Sequence, residues 1–287
     1  MYPMLVAGTA VICLIVIAAR IVMLKRDEKT RIEQGILLTV HLKRIIDSCQ
    51  KHRGASHVVT QGNNQLKPQL VDLQTDIDRL IQSRESQQLK QFPQWESFTE
   101  HWPRLKRHAL AGDLVSHNLV RQHSLMIDGQ LSLLDDVMRD HDLHLMMLDR
   151  KTRVAEICID TLRVAETVGQ TRAIGSGICA RGVCVGADRI ILDFLRVSVL
   201  NTTHELVKQV NAIKNDDLHH TLQSATNAIE NSVKKLIDML ESHLIKEGRV
   251  NVDGNDYFNV STRAIDEVLK VFGIIIHYAS RQQARMI

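Results

Sequence analysis

The 287-residue chain is long enough to bury a substantial core as one large domain or two small ones. Its 36 basic and 33 acidic residues are spread throughout and give a net charge of +3, so no basic stripe indicates nucleic acid as a partner. Aromatic residues make up 3% of the chain and proline occurs four times, a composition that favours helices over strands. We therefore predict an all-α fold.

The N-terminal segment from Met4 to Leu24 is apolar except for Thr9 and Arg20. At about 1.5 Å per residue, such a helix can cross a hydrocarbon core of about 30 Å. No basic residue precedes the segment, whereas several follow it: Lys25, Arg26, Lys29 and Arg31. The sequence therefore predicts a single transmembrane helix rather than a cleaved signal peptide.

The distribution of these basic residues predicts the topology of the chain. Because positive charge is retained on the cytoplasmic side, the N-terminus is expected outside and the remainder in the cytoplasm. We predict two parts: residues 1–27 form an anchor with a basic flank in the inner (cytoplasmic) membrane, and residues 28–287 form a single helical cytoplasmic domain.

Apolar residues at steps of three and four predict seven or eight helices. The anchor is expected to continue into a long helix that ends at "TQGNN", residues 60–64, and a second helix should run to about Ser86. Short pieces are expected around Pro93 and Pro103. Further helices are predicted over residues 114–142, 145–180, 186–212, 216–246 and 261–281. Short polar connections between them fit one or two antiparallel bundles.

Local motifs give no positive indication of catalysis. The string "GSGICARG" at 175–182 lacks the spacing of a phosphate-binding loop, and its small residues are typical of close helix packing. "RDHDLHLMMLD" at 139–149 offers one pair of metal ligands on a helix face, which is not a complete site. We therefore expect a protein that is not an enzyme and needs neither metal nor cofactor. A metal-dependent helical enzyme would require ligands that the sequence does not display.

Two segments place an arginine within an apolar helical pattern: "QKHRGAS" at 50–56 and "GQTRAIGSG" at 169–177. Helical counting puts Arg53 and Arg172 on the core-facing side of their helices. Neither has an acidic residue three or four positions away, and Glu166 lies off the face of Arg172. A buried guanidinium without a carboxylate is costly, so another anion should balance it.

A small planar anion such as nitrate or nitrite would suit these arginines, because the guanidinium fork donates two parallel hydrogen bonds to oxygens in one plane. The alternatives are that each arginine reaches solvent, or that it pairs with a distant acidic residue such as Asp188. Helical spacing alone leaves these alternatives open.

Three segments together resemble the nitrate- and nitrite-sensing (NIT) domain of bacterial sensors: "IIDSCQKHRGAS", "AETVGQTRAIGSGICARGV" and "DYFNVSTRAIDEVLKV". They occur in the family's order and spacing, over roughly residues 35–285. His52 stands where the commonest form of the family's first motif has glutamate. That histidine could add a proton-dependent positive charge beside the site, or mark a site no longer used for nitrate.

The resemblance implies a pair of four-helix bundles that share long helices, with arginines from several helices binding the anion. Carried over by motif, Arg53 and Arg172 would be the main ligand-binding residues and Arg263 in "STRAID" a further one. The same transfer implies that three small residues shape the pocket: Gly54, Ser56 and Gly175.

The resemblance also implies a sensory or regulatory function. NIT domains usually control an attached kinase, methyl-accepting module or RNA-binding antiterminator, and none of these follows in the sequence. We therefore expect a membrane-anchored sensor of nitrate, nitrite or a related small anion that signals to a separate protein, with a homodimer as one option. The alternative is a ligand-free, membrane-tethered helical scaffold for protein–protein interaction.

Overall fold

The computed structural model describes residues 2–245, 250 and 252–285, with side chains described from residue 14 onward. In this part of the chain the secondary structure is helical, as predicted. The described residues form nine α-helices: α1 (Tyr2–Thr60), α2 (Lys67–Ile81), α3 (Arg84–Leu89), α4 (Pro93–Ala111), α5 (Ser116–Asp140), α6 (Val154–Arg181), α7 (Gly186–Asn211), α8 (Asp216–Met239) and α9 (Gly254–Ala284). A π-helical segment over Leu240–Ile245 extends α8.

Eight of these helices pack as two groups of four, and the short α3 lies against α1. The first contains α1, α2, α4 and α5, and the second contains α6, α7, α8 and α9. Helix α1 also contacts α6 and α9, so the two groups meet along their longest helices. In α8, Leu218, Leu222, Ala225 and Ile229 show the pattern that holds each group together, since their steps of four and three place them on one buried face.

Helix α1 is continuous from Tyr2 to Thr60, which confirms the predicted uninterrupted helix that ends at "TQGNN". Within the described residues, no helix is both long enough and apolar enough to cross a membrane. The predicted span from Met4 to Leu24 lies partly outside the described side chains. From residue 14 onward, this segment exposes the apolar side chains Leu14, Ile15, Val16, Ile17, Ile21, Val22, Met23 and Leu24.

Helix α4 passes through Pro103, so the break predicted there is wrong. Trp95, Phe98, Trp102 and Leu105 recur at steps of three and four and are all buried. Burying each large apolar side chain contributes about 1.5–3 kcal/mol, whereas an internal proline costs about 3 kcal/mol. Packing of this face therefore outweighs the hydrogen bond that the proline removes.

Helix α6 begins at Val154, later than predicted, because the preceding segment forms a turn around Asp149. The Asp149 carboxylate accepts backbone N–H groups of Lys151, Thr152 and Lys214, each at 2.8 Å. These hydrogen bonds, that of Lys151 first, lower the pKa of Asp149 to about 2. The turn therefore ties the α5–α6 connection to the α7–α8 connection.

Helix α9 begins at Gly254, earlier than predicted, because Asp253 caps it. The Asp253 carboxylate accepts the backbone N–H groups of Asn255 at 2.8 Å and Asp256 at 3.3 Å. The early start places Tyr257 on the helix, facing α6.

Candidate functional site

The two arginine segments lie where α1 packs against α6. Arg53 is fully buried, as its position on α1 predicted. Its two terminal nitrogens bind the carboxylate of Glu166: Nη1 donates to Oε1, and Nη2 donates to Oε2 at 3.1 Å. Of the alternatives that helical spacing left open, pairing with a distant acidic residue therefore holds for Arg53, with Glu166 as the partner. Glu166 belongs to α6, so spacing within α1 gave no sign of this partner.

Neighbouring amides and a hydroxyl complete this buried ion pair. Gln50 Nε2 donates to Glu166 Oε2 at 2.8 Å, and Gln170 Nε2 donates to Oε1 at 2.9 Å. Arg53 Nη1 also donates to the Ser124 hydroxyl at 2.9 Å. With four donors on its two oxygens, the carboxylate is well stabilised away from water, and the Arg53 fork is occupied.

His52 lies in a chain of hydrogen bonds between neutral side chains. Its Nε2 accepts from the Gln74 amide at 3.1 Å, and its Nδ1–H donates to His123 Nε2 at 2.7 Å. His123 Nδ1–H then donates to the Leu119 carbonyl at 2.8 Å. This assignment of protons, made from the hydrogen-bond partners, gives each ring one donor and one acceptor.

The surroundings of the two histidines keep them uncharged. Burial, and then the proximity of His123, hold the pKa of His52 well below its usual value. Burial lowers the pKa of His123 to about 3. The option that His52 adds positive charge beside the arginines is therefore wrong at neutral pH.

Arg172 is also buried, with 5% of its surface exposed, but its surroundings differ. Among the described residues, no carboxylate oxygen lies within 4.0 Å of its guanidinium nitrogens. Nη1 donates to the Thr262 hydroxyl at 3.0 Å, and the guanidinium carbon lies 5.2 Å from the centroid of the Phe258 ring. Burial, and then the positive charge of Arg53, lower the pKa of Arg172 to about 10. It therefore stays charged at neutral pH.

Two buried polar atoms at Arg172 and one turn beyond it have no hydrogen-bond partner among the described residues. They are its own Nε and the hydroxyl of Ser176, one turn farther along α6. Such atoms cost free energy unless a ligand or water satisfies them. This pair of free groups on one face of α6 gives a small acceptor molecule two points of attachment.

Gly175 allows α9 to lie close to this part of α6. A Cβ atom at Gly175 would stand 2.2 Å from the Tyr257 ring and hydroxyl. The Tyr257 hydroxyl donates to the Thr171 carbonyl at 2.7 Å, which fixes the ring in place. The small residue thus brings α9, with Thr262 and Phe258, against Arg172.

The buried charges at the two arginines do not balance. Arg53 and Arg172 contribute two buried positive charges and Glu166 one buried negative charge, while the exposed carboxylate of Asp266 offsets the charge of Arg172 only in part. Asp188, the acidic residue considered from the sequence, instead pairs with Arg181. One monovalent anion beside Arg172 would neutralise the cluster.

The other residues predicted from the sequence lie in different surroundings. Gly54 is buried, with no atom within 4 Å of the position that a Cβ would occupy. The Ser56 hydroxyl donates to the His52 carbonyl at 2.5 Å within α1. Arg263 is exposed on α9. The structure therefore brings together Arg53, Arg172 and Gly175, and leaves Arg263 at the surface.

Sequence reasoning missed Glu166, Gln50, Thr262 and Phe258. All four lie within the segments that resemble NIT motifs, but the partner of each arginine comes from another helix. In "STRAID", Thr262 makes the contact with Arg172, and it directly precedes Arg263, the residue that the resemblance implied.

Comparison with known proteins shows that the fold of this chain is similar to that of a solved structure. No family model and no curated protein matches the chain. Among solved structures, the chain is similar to that of the NasR transcription antiterminator, with a TM-score of 0.59 and 14% sequence identity. The similarity covers 94% of this chain and 74% of that chain. At this level of identity, the similarity shows the arrangement of helices alone.

Proposed function

We propose that this protein is a sensory or regulatory protein that binds a small planar anion, nitrate or nitrite, beside Arg172. One observation carries the proposal: of two buried guanidinium groups, Arg53 is paired with the buried carboxylate of Glu166, whereas Arg172 has no ion pair among the described residues. Leaving a buried charge uncompensated costs several kcal/mol, so an anion that compensates it gains affinity of that order. A singly charged ligand would make the cluster neutral.

The groups around Arg172 suit such a ligand. Within the part of the chain that the structure describes, its Nε has no partner, and the hydroxyl of Ser176 also lacks one. Nitrate and nitrite present two oxygens in one plane, which can accept from neighbouring guanidinium nitrogens. Phe258 covers the guanidinium and is 42% exposed, so the ring separates the site from water while lying at the surface. We assign the ligand to Arg172 because the fork of Arg53 already holds Glu166.

The resemblance of the sequence motifs to NIT domains supports the choice of anion. The structural similarity to an antiterminator is compatible with it, since RNA-binding antiterminators are among the outputs that NIT domains control. This protein would act through a separate partner protein.

Helix α9 offers a route for the signal. Near its start it carries Phe258 and Thr262, and near its end it contacts α1. Gln283 Nε2 donates to the Lys29 carbonyl at 3.2 Å, and Lys29 Nζ donates to the Ala284 carbonyl at 3.2 Å. About 32 Å of helix separates Thr262 from Gln283, so a shift of α9 on anion binding would reach α1 directly.

Membrane anchoring through residues 4–24 is part of the same proposal. The exposed apolar side chains from Leu14 to Leu24 support it, because such a row is costly to leave in water. Fractionation of cells that express the full chain tests this point. Recovery in the fraction without membranes would contradict the anchor but leave the anion site intact.

Isothermal titration of the purified full chain with nitrate and nitrite tests the anion site. Arg172→Met should weaken binding by about 2–5 kcal/mol, because it removes the charge that contacts the ligand while keeping an unbranched side chain. Arg263→Ala removes an exposed arginine of α9 and should bind as the wild type does. Absence of heat from either anion, with native circular dichroism, would favour the ligand-free scaffold instead.

A further inference from the structure

The end of α9 lies close to the segment of α1 that is proposed as a membrane anchor. Gln283 Nε2 donates to the Lys29 carbonyl at 3.2 Å, and Lys29 Nζ donates to the Ala284 carbonyl at 3.2 Å. Lys29 follows the exposed apolar residue Leu24 by five positions of continuous helix, which span about 7.5 Å. The headgroup layer on one side of a bilayer is about 5–8 Å thick. In the anchored protein, the end of α9 is therefore level with the lipid headgroups.

This end of α9 carries two arginines without an acidic partner. Arg281 and Arg285 are four positions apart, so they lie on one face of the helix, and both are exposed. Among the described residues, neither forms an ion pair. Together with His277 and Tyr278, and with Thr221 of α8, they line a cleft of about 180 Å³. The two guanidinium groups are therefore available to a ligand from outside the chain.

The cleft suits a phosphate group. Asp217 is the acidic residue in its wall, and it lies in the first turn of α8, where the positive end of the helix offsets part of its charge. The guanidinium fork of arginine donates parallel hydrogen bonds to phosphate oxygens. Two such forks on one face of α9 give the cleft an excess of positive charge.

The connections beside the cleft add basic side chains to this end of the domain. The Asn215 amide joins them to α9, because it donates to the Leu148 carbonyl at 2.6 Å and to the Tyr278 hydroxyl at 3.0 Å. The α5–α6 and α7–α8 connections carry four exposed basic residues: Arg150, Lys151, Arg153 and Lys214. By contrast, three connections at the opposite end, 61–66, 112–115 and 182–185, contain no lysine or arginine.

Exposed acidic residues reduce this excess of basic charge. Asp140, Glu156 and Asp216 lie in the adjoining ends of α5, α6 and α8. Attraction to an acidic surface therefore depends mainly on Arg281 and Arg285, which are nearest to the start of the domain on α1.

We propose that this end of α9 rests on the membrane surface, with Arg281 and Arg285 bound to the phosphate groups of anionic lipids. The inference rests on the membrane anchor proposed above. Anionic lipids give the cytoplasmic leaflet a negative surface potential, which attracts basic side chains beside a transmembrane helix. Because Phe258 and Thr262 lie near the other end of α9, the small anion and the membrane act on opposite ends of one helix.

Fluorescence quenching of the full chain in lipid vesicles tests the contact. Ala284→Trp places a reporter at an exposed position at the end of α9, and the vesicles carry a small fraction of lipid with a nitroxide on its headgroup. Trp95 and Trp102 are buried in α4, and the unmodified chain measures their share of the quenching. The reporter should be quenched strongly in phosphatidylglycerol and less in phosphatidylcholine, which has no net charge.

Charge reversal identifies the two arginines as the source of the contact. Arg281→Glu combined with Arg285→Glu should remove most of the additional quenching in phosphatidylglycerol. Lys234→Glu with Lys235→Glu makes the same change of net charge on α8, about 27 Å from its start, and should leave the quenching unchanged. All four side chains are exposed, so these variants are expected to fold.

Flotation of the same vesicles separates this inference from the proposed anchor. A chain that does not float with the vesicles would contradict the anchor and, with it, the contact of α9. A chain that floats, but whose reporter is quenched equally in both lipids or equally with and without the two arginines, would overturn the lipid contact alone.

Discussion

Arg53 meets a carboxylate from the neighbouring helix, whereas Arg172, on that neighbouring helix, meets a hydroxyl and an aromatic ring. Both side chains are buried where the two groups of helices meet. Glu166, Gln50, Gln170 and Ser124 surround the first pair, so its hydrogen bonds are made within the protein. Both guanidinium groups keep an Nε without a partner among the described residues, so the difference lies in what their terminal nitrogens contact. The comparison indicates that one arginine holds α1 to α6 while the other is available to a ligand.

The largest expected effect is a loss of protein stability when Arg53, but not Arg172, is replaced. Arg53→Ala leaves Glu166 buried without its cation, and should lower the free energy of unfolding by about 3–5 kcal/mol. Urea denaturation followed by circular dichroism measures this loss. A loss below about 1 kcal/mol would show that Glu166 does not depend on Arg53.

The histidine pair beside Arg53 predicts a dependence on pH. In the unfolded chain His123 takes up a proton near pH 6.5, but in the folded protein only near pH 3. The unfolded state binds more protons than the folded state between these two pH values. The free energy of unfolding is therefore highest above pH 6.5 and decreases as the pH falls toward 3. The slope is about 1.4 kcal/mol per pH unit for one such histidine.

His123→Gln is the matched variant for this pH effect. Between pH 7 and about pH 4.5, the free energy of unfolding of the wild type should fall by about 2–3 kcal/mol from His123 alone, as measured by denaturation at each pH. The variant should show a smaller decrease over the same range. Equal slopes in the two proteins would contradict the buried neutral state of His123.

Gly54 on α1 and Gly175 on α6 should respond differently to an added methyl group. Gly175→Ala places Cβ against Tyr257, whose hydroxyl is bonded, and should destabilise by about 1–3 kcal/mol. Gly54→Ala meets no atom within 4 Å and should stabilise α1 by up to about 1 kcal/mol. Thermal unfolding of both variants measures the contrast. Equal melting temperatures would mean that α9 does not pack closely at Gly175.

Arg172→Met should change the stability of the anion-free protein by no more than about 1 kcal/mol. It removes a buried charge that lacks a carboxylate, so the lost Thr262 hydrogen bond is offset by lower desolvation. Unfolding in a buffer without nitrate or nitrite gives the value. A loss as large as that of Arg53→Ala would reveal a structural role and remove the contrast between the arginines.

Arg263→Ala should have the smallest effect, within about 0.5 kcal/mol, because the side chain is exposed. A loss of anion binding in this variant would return Arg263 to the site and require α9 to rotate.

The sequence by itself determined the helical class, the unbroken α1 and the burial of Arg53 and Arg172, because a period of 3.6 residues reveals which face of a helix is apolar. The start of α9 was also readable in principle, since Asp253 caps it through local hydrogen bonds. The helical spacing of Trp95, Phe98, Trp102 and Leu105 across Pro103 was present in the sequence, but only their burial against other helices shows that packing outweighs the proline.

Only the tertiary structure decided which arginine has a counterion. Glu166 lies 113 positions from Arg53, and Thr262 lies 90 positions from Arg172. Contacts of this range depend on how helices are rotated and shifted against one another, and periodicity within each helix carries no information about that arrangement. The sequence therefore identified two buried charges, and packing made one of them a structural ion pair and left the other without a carboxylate.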